Sequence, residues 1–200
     1  MTKKAMKLLL AAQIKSAIWF LGIYALIIVI FSVIFHYVKD IDGSWMSLSA
    51  IYSPKVYLLV MGIVYPLITT ELYLSRGLTR KQYFWAFTGA IGVLSLVLLI
   101  PTIIAEILMG AITPMSVIMN FVQMPLFFLI GWTAAIGFRF GKLYTAFLGI
   151  LCAIACFHIM NGISVLLHLS ETTQLCTSLL LIVVQIRLLP RVICRIPIKS

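Results

Sequence analysis

Two cysteines and a histidine in the last third of the chain are the first residues to consider for chemistry. Cys152 and Cys156 lie four residues apart and share one face of a helix, whereas His158, two residues further on, points elsewhere. A metal site needs more ligands of this kind, and a nucleophile pair needs contact between thiol and imidazole. The spacing favours cysteines that pack as small apolar side chains. An enzyme that used these residues would be excluded if replacing all three left activity unchanged.

Amide side chains form a second polar group within otherwise apolar sequence. Asn120 and Gln123 are three residues apart and share a helix face, and Pro125 follows where it can kink the helix. Asn161 lies in a later apolar segment. Such amides either hydrogen-bond to neighbouring helices or line a path for a solute. The sequence leaves both alternatives open.

Nucleotide chemistry needs a phosphate-binding loop, and the chain has no convincing one. The nearest segment runs from Gly137 to Leu143, with Gly141 and Lys142 inside it. It lacks the glycine spacing of a phosphate loop and the Ser or Thr that holds magnesium. We therefore expect no cofactor on this chain and no enzyme activity of its own, and any ATP and Mg²⁺ would be bound by a partner subunit.

The composition places these residues in a membrane. Of 200 residues, 63% are hydrophobic and 10% charged, against about 25% charged in a soluble domain. A helix needs about 20 apolar residues to cross a bilayer. Charge-poor segments of about that length predict a single all-α membrane domain over residues 1–200 with six transmembrane helices, at 17–38, 55–75, 82–105, 115–138, 143–167 and 174–190.

The basic residues predict the orientation. Most of the 15 Lys and Arg residues precede span one, follow span six, or lie between spans two and three and spans four and five. By the positive-inside rule, both termini are cytoplasmic in a multi-pass protein of the cell membrane. The net charge of +10 thus sets orientation, and we expect no nucleic acid partner. The other side carries Lys39, Lys55 and four of the five acids, which are Asp40, Asp42, Glu106 and Glu171.

The first 16 residues combine lysines with apolar side chains. At 100° per residue, four lysines share one arc of a helix of about 120°. We predict a short amphipathic helix that lies at the lipid interface, and a plain basic flank of span one is the alternative. The lysines are Lys3, Lys4, Lys7 and Lys15.

A tight turn is predicted between spans two and three, and we call residues 75–82 the elbow. Gly77 stands where a helix ending at Arg76 needs a left-handed residue, and Leu78 can fold back on the preceding turn. Thr79 precedes Gln82 by three residues, which is the spacing of a capping box. Such an elbow is short, stiff and basic, and therefore suited to passing force to a cytoplasmic partner.

Three aromatic residues follow the elbow at the depth where rings settle at the membrane interface. They are Tyr83, Phe84 and Trp85.

The alternative for the elbow is that its basic residues only orient the protein, with Glu71 paired to Arg76 or Arg139.

These features resemble the membrane subunits of type-2 ATP-binding-cassette exporters, especially small peptide, bacteriocin-resistance and multidrug permeases of Gram-positive bacteria. The resemblance rests on six spans, a basic N-terminal helix and a Glu-x4-Arg-Gly-x-x-Arg-Lys elbow. It implies that the elbow docks on a separate cytoplasmic ATPase and that residues 3–15 form a connecting helix. The elbow contact would comprise Glu71, Ser75, Arg76, Gly77, Thr79, Arg80, Lys81, Gln82 and Tyr83.

We therefore expect a permease that pairs with a second copy or a related permease and exports an amphipathic peptide, lipid-like or hydrophobic drug-like substrate, a role linked to antimicrobial resistance. Its localisation would be the bacterial cytoplasmic membrane, and its substrate path would pass Asn120, Gln123 and Asn161. The alternative is a non-transporting immunity, sensor or accessory subunit that binds a peptide or partner helices. If replacing Arg80 and Lys81 with Ala left ATPase binding and export unchanged, coupling through the elbow would be disproved.

Overall fold

The computed structural model describes residues 2–37, 44–108, 113–166 and 171–195, and it is helical throughout apart from short turns. The prediction of an all-α polytopic membrane protein is confirmed at this level. The six helices in the described residues are α1 (Thr2–Tyr37), α2 (Ser44–Ser75), α3 (Arg80–Leu108), α4 (Pro114–Arg139), α5 (Leu143–Leu166) and α6 (Glu171–Arg195).

Five of these helices contain stretches long and apolar enough to cross a membrane. In α5 the described apolar stretch is the shorter Leu143–Ile159. The five longer stretches are Leu9–Ile30, Ile51–Ser75, Arg80–Ile104, Pro114–Arg139 and Glu171–Cys194. The helices α3 to α6 begin and end within five residues of the predicted spans, whereas α1 begins at Thr2 and α2 at Ser44, well before the predicted residues 17 and 55.

The N-terminal segment differs from the separate interfacial helix that we expected. It is helical, but it continues into span one without a break, as a single helix of 36 residues. The reason is local, since residues 2–21 contain no glycine or proline that would end a helix. Lys7 and Lys15 are exposed, whereas the side chains of Lys3 and Lys4 lie outside the described part.

The helix α4 forms the centre of the bundle. It packs against α2, α3, α5 and α6, while α1 packs against α3. Most of α4 from residue 123 to residue 137 is buried, so this part of the helix is enclosed by protein. The other helices keep one face exposed, where large apolar side chains such as Trp19, Ile68 and Phe147 face outward. Such faces suit contact with lipid.

Glycines allow α4 to approach two of its neighbours closely. A Cβ atom added to Gly131 would collide with the carbonyl oxygen of Leu59 on α2, and one added to Gly62 would collide with that of Phe128 on α4. At the crossing of α4 and α5, a Cβ on Gly149 would lie 2.8 Å from the Cα of Gly137. Small residues in α4 therefore bring backbones together.

An aromatic cluster joins α3 to α4 below these crossings. The rings of Phe84 and Trp132 have centroids 5.0 Å apart, and those of Phe87 and Phe128 are stacked at 5.2 Å. Tyr83 meets the edge of Trp132 at 5.9 Å. All five rings are nearly inaccessible, and they belong to the main hydrophobic core.

The glycine crossing can be tested with matched substitutions. We expect Gly131→Ala to destabilise the protein by about 1–3 kcal/mol, because the new methyl group has only backbone to displace. Gly92→Ala is the control, since nothing lies within 4 Å of the added Cβ, and we expect no loss. Thermal unfolding of the purified protein in detergent measures both. Equal stability of the two variants would contradict the close approach of α2 and α4.

Candidate functional site

The elbow begins with a glycine cap at the end of α2. Gly77 has a φ of 84°, a conformation that a residue with a side chain adopts only at a cost. Its N–H donates to the carbonyl of Leu74 at 3.0 Å, and the N–H of Leu78 donates to the carbonyl of Tyr73 at 3.2 Å. This pair of bonds is the Schellman motif, so the predicted cap is confirmed.

The elbow ends with a reciprocal cap at the start of α3. The backbone N–H of Gln82 donates to Thr79 Oγ1 at 3.2 Å, and the N–H of Thr79 donates to Gln82 Oε1 at 3.1 Å. These two bonds are the predicted capping box. The two caps hold the backbone N–H groups of Gly77, Leu78 and Thr79 in hydrogen bonds, so we expect displacement of one helix end to displace the other.

Two long-range contacts tie this region to other helices. Arg139 Nη2 at the end of α4 lies 3.6 Å from Glu71 Oε1 at the end of α2, which is one of the two pairings considered for Glu71. Arg80 Nη1 donates to the carbonyls of Ile193 and Cys194, each at 3.2 Å. The ends of α2, α3, α4 and α6 thus meet, and we call this region the basic end of the bundle.

The exposed part of the elbow is smaller than predicted. Tyr83 is a correction: we placed it in a partner contact, but it is fully buried and shares a hydrogen bond of 2.7 Å with Thr69 Oγ1. Phe84 is buried too, and only Trp85 of the three aromatic residues is exposed. The ring cluster with Trp132 draws them inward. Arg80 and Gln82 are partly buried, and the exposed elbow residues are Ser75, Arg76, Gly77, Thr79 and Lys81.

A second polar site lies far from the elbow, about 30 Å before Ser75 along α2 at 1.5 Å per residue. Here Lys55 is only 3% exposed. Its Nζ donates to Gln123 Oε1 on α4 at 2.7 Å and lies 5.1 Å from the centre of the Tyr52 ring. Burying a lysine ammonium among apolar helices costs free energy unless the ammonium has a partner. The hydrogen bond to Gln123 and the contact with the Tyr52 ring offset part of that cost.

The matching acid is Glu106 near the end of α3, which is 4% exposed. Asn120 Nδ2 on α4 donates to its Oε1 at 2.7 Å, and the Ser116 hydroxyl donates to its Oε2 at 2.8 Å. Ser116 also completes a capping box with Thr113 at the start of α4. The carboxylate is thereby fixed to the first turns of α4.

Two hydrogen-bonded groups lie next to each other on α4, Lys55 with Gln123 and Glu106 with Asn120 and Ser116, and we call them together the buried charge network. It consists of Lys55, Gln123, Asn120, Glu106 and Ser116. Asn120 and Gln123 lie on the same face of α4, where Asn120 holds the carboxylate of α3 and Gln123 holds the ammonium of α2. Because the two charges are opposite and both are buried, we expect them to attract each other. The network therefore joins α2, α3 and α4 away from the basic end.

The amides thus make the interhelical hydrogen bonds that the sequence left as one alternative. Asn120 and Gln123 are both buried, and a path for a solute beside them stays a prediction. The Asn161 side chain lies outside the described residues. Sequence reasoning assigned Lys55 and Glu106 to the outer flanks of the spans and missed their role. Both lie within or beside long apolar runs, which was the available signal.

The cysteines and the histidine do not assemble into a reactive group. Cys156 Sγ accepts a hydrogen bond of 3.6 Å from Gln185 Nε2 on α6, while Cys152 and His158 are exposed. All four cysteines are free. Within the described part of the chain, no three His, Cys, Asp or Glu residues are grouped as metal ligands.

Comparison with known proteins adds no relative. No protein-family model matches the chain, and neither the curated proteins nor the solved structures contain a match. The function is therefore argued from the elbow and the buried charge network alone.

The buried charge network predicts coupled stabilities. Lys55→Met leaves Glu106 without its counter-charge, and Glu106→Gln leaves Lys55 unbalanced, so each should cost about 3 kcal/mol. The double variant should cost less than the sum, with a coupling of about 0.5–3 kcal/mol. Unfolding of the purified variants measures the cycle, with Lys142→Met as an exposed control. Strict additivity would contradict electrostatic coupling.

The glycine cap predicts a specific order among substitutions. Gly77→Val should weaken the elbow by about 1–2 kcal/mol, the cost of a left-handed residue, whereas Gly77→Asn should be tolerated because Asn adopts this conformation. Limited trypsin digestion after Arg76 in inverted membrane vesicles reports local opening. Gly22→Val is the control, since its Cβ meets nothing within 4 Å. Equal cleavage of the Val and Asn variants would contradict the cap.

Proposed function

We propose that this chain is the permease subunit of an exporter in the bacterial cytoplasmic membrane, driven by a separate cytoplasmic ATPase that docks on the elbow. The observation that carries the proposal is the double cap of the elbow, at Gly77 and at Thr79 with Gln82. A partner that presses on such a turn moves α2 and α3 as rigid levers. A flexible loop would absorb the same motion.

The long-range contacts of the basic end support this role. Because Arg80 holds the end of α6 and Glu71 faces Arg139 of α4, a displaced elbow also acts on α4 and α6. The exposed Ser75, Arg76 and Thr79 offer polar contacts to a partner in water. The positive-inside rule places this end in the cytoplasm.

The same two helices carry the motion to the buried charge network. Lys55 is on α2 and Glu106 is near the end of α3. Each of these two helices therefore carries a charged side chain that is hydrogen-bonded to α4. Tilting α2 and α3 relative to α4 would pull Lys55 from Gln123 and Glu106 from Asn120. Breaking and re-forming these hydrogen bonds would accompany a change between two arrangements of the spans, as alternating access requires.

The proposed substrate class is based on where the charged and the apolar side chains of the helices lie. In the described residues, the buried charged side chains are Lys55, which is hydrogen-bonded to Gln123, and Glu106, which is hydrogen-bonded to Asn120. A conducted ion needs a lining of charges or carbonyls, whereas an amphipathic peptide, lipid-like or hydrophobic drug-like molecule can move along apolar helix faces. We propose this class as cargo, moved by two permease subunits with ATP and Mg²⁺ on the ATPases.

The proposal is tested by identifying what binds the elbow. The tagged chain is extracted gently from its native membrane, and copurifying proteins are identified by mass spectrometry. We expect a stoichiometric ATPase with a phosphate loop, reduced at least tenfold by Arg76→Glu. Lys142→Glu is the matched control, because it reverses an exposed charge in the turn between α4 and α5.

The contrary outcome points to the second class. Recovery of the chain alone, or only with a membrane protein and no ATPase, would overturn the proposal and favour an immunity, sensor or accessory subunit. Equal loss of ATPase in both variants would show a general charge effect and contradict docking on the elbow.

A further inference from the structure

A basic groove lies between the start of α3 and the last turns of α6. It has a volume of about 660 Å³ and is distinct from the exposed elbow surface except for Lys81. The residues that line it include three cations and three apolar side chains, namely Lys81, Arg187, Arg191, Trp85, Ile186 and Pro190.

The three cations come from two helices and converge on one space. Lys81 is on α3, whereas Arg187 and Arg191 are four residues apart on α6 and therefore lie one above the other on the same helix face. All three are exposed. Among the described residues, none of the three forms an ion pair, and Glu71 at the same end is engaged with Arg139. The groove thus carries positive charge that the described residues do not balance.

The helix end beside the groove would ordinarily weaken anion binding. The last carbonyls of a helix carry partial negative charge. Here Arg80 donates to the carbonyls of Ile193 and Cys194, which offsets part of that charge. The same contact fixes the spacing between α3 and α6, so the cations are presented by two helices that are held together.

The groove is amphipathic along its length. Trp85 lies one turn beyond Lys81 on α3, and Ile186 and Pro190 lie beside the two arginines on α6. These residues belong to the stretches Arg80–Ile104 and Glu171–Cys194, which are apolar enough to span a membrane. The site therefore combines cations with an apolar wall at the end of two spans, where lipid headgroups lie.

We propose that this groove binds one anionic phospholipid, with its phosphodiester between Lys81, Arg187 and Arg191 and an acyl chain along Trp85 and Ile186. Arginine binds phosphate through paired N–H donors, and basic pockets between spans on the cytoplasmic side are suited to anionic headgroups. A water-soluble anion would make no use of the apolar wall. The proposal does not depend on transport.

The test uses the full chain, purified in mild detergent and mixed with dioleoylphosphatidylglycerol or dioleoylphosphatidylcholine. Native mass spectrometry counts the lipids retained per chain. We expect one retained phosphatidylglycerol and at least tenfold weaker retention of phosphatidylcholine. The variant Lys81→Gln/Arg187→Gln/Arg191→Gln should reduce retention of phosphatidylglycerol at least tenfold, because the groove loses all three positive charges.

A matched control removes equal charge elsewhere. Lys7→Gln/Lys15→Gln/Lys142→Gln changes three exposed lysines that do not line the groove, and it should retain phosphatidylglycerol as the unchanged protein does. Equal loss in both variants, or equal retention of the two lipids, would overturn the proposal. Complete displacement of the lipid by 10 mM inorganic phosphate, on the order of a thousandfold excess over protein, would show a free-anion site and also overturn it.

A single substitution covers the case in which the triple variant does not fold. Arg191→Gln should weaken retention of phosphatidylglycerol about threefold or more, whereas Arg191→Lys, which keeps the charge, should lose less. The reverse order would contradict the proposal. Arg76→Glu, which tests ATPase docking, lies outside the groove and should leave lipid retention unchanged, so failure of either proposal is seen separately.

Discussion

The structure depends on one constraint, which is that polar groups within apolar helices must find partners inside the protein. In a bilayer there is no water to replace them. The central helix α4 provides partners for the two buried charges, through Asn120 and Gln123. Among the described residues, both amide atoms of the buried Gln13 are exceptions without a hydrogen-bond partner. The amide group of Gln13 is therefore buried without a hydrogen bond among the described residues.

The close approach of helices follows from the same requirement. Short amide side chains on α4 reach the neighbouring helices because Gly62 and Gly131 let α2 and α4 backbones touch. A bulkier residue at the crossing would separate the helices and lengthen the bond between Lys55 and Gln123. Close packing and polar pairing therefore depend on each other, and α2 and α3 contact α4 at both ends of the bundle.

The two ends of the bundle differ in the kind of bond that holds them. The buried charge network is shielded from water, so its attraction is strong, whereas Glu71 is 78% exposed and its contact with Arg139 is correspondingly weak. The ion pair at the basic end therefore costs less to break than the contacts of the buried charge network. Elbow and groove share Lys81, so the proposed ATPase and the proposed lipid would bind at adjacent surfaces.

The sequence by itself determined the features that depend on neighbouring residues: the helical class, the glycine cap at Gly77 and the capping box of Thr79 and Gln82. Each involves residues within a few positions, so local patterns suffice. Tertiary structure decided the rest. The bonds of Lys55 to Gln123 and of Arg80 to Ile193 join residues 68 and 113 positions apart, and the burial of Tyr83 depends on Trp132 of another helix. No local pattern encodes which helices become neighbours, because that choice rests on the packing of whole helix faces.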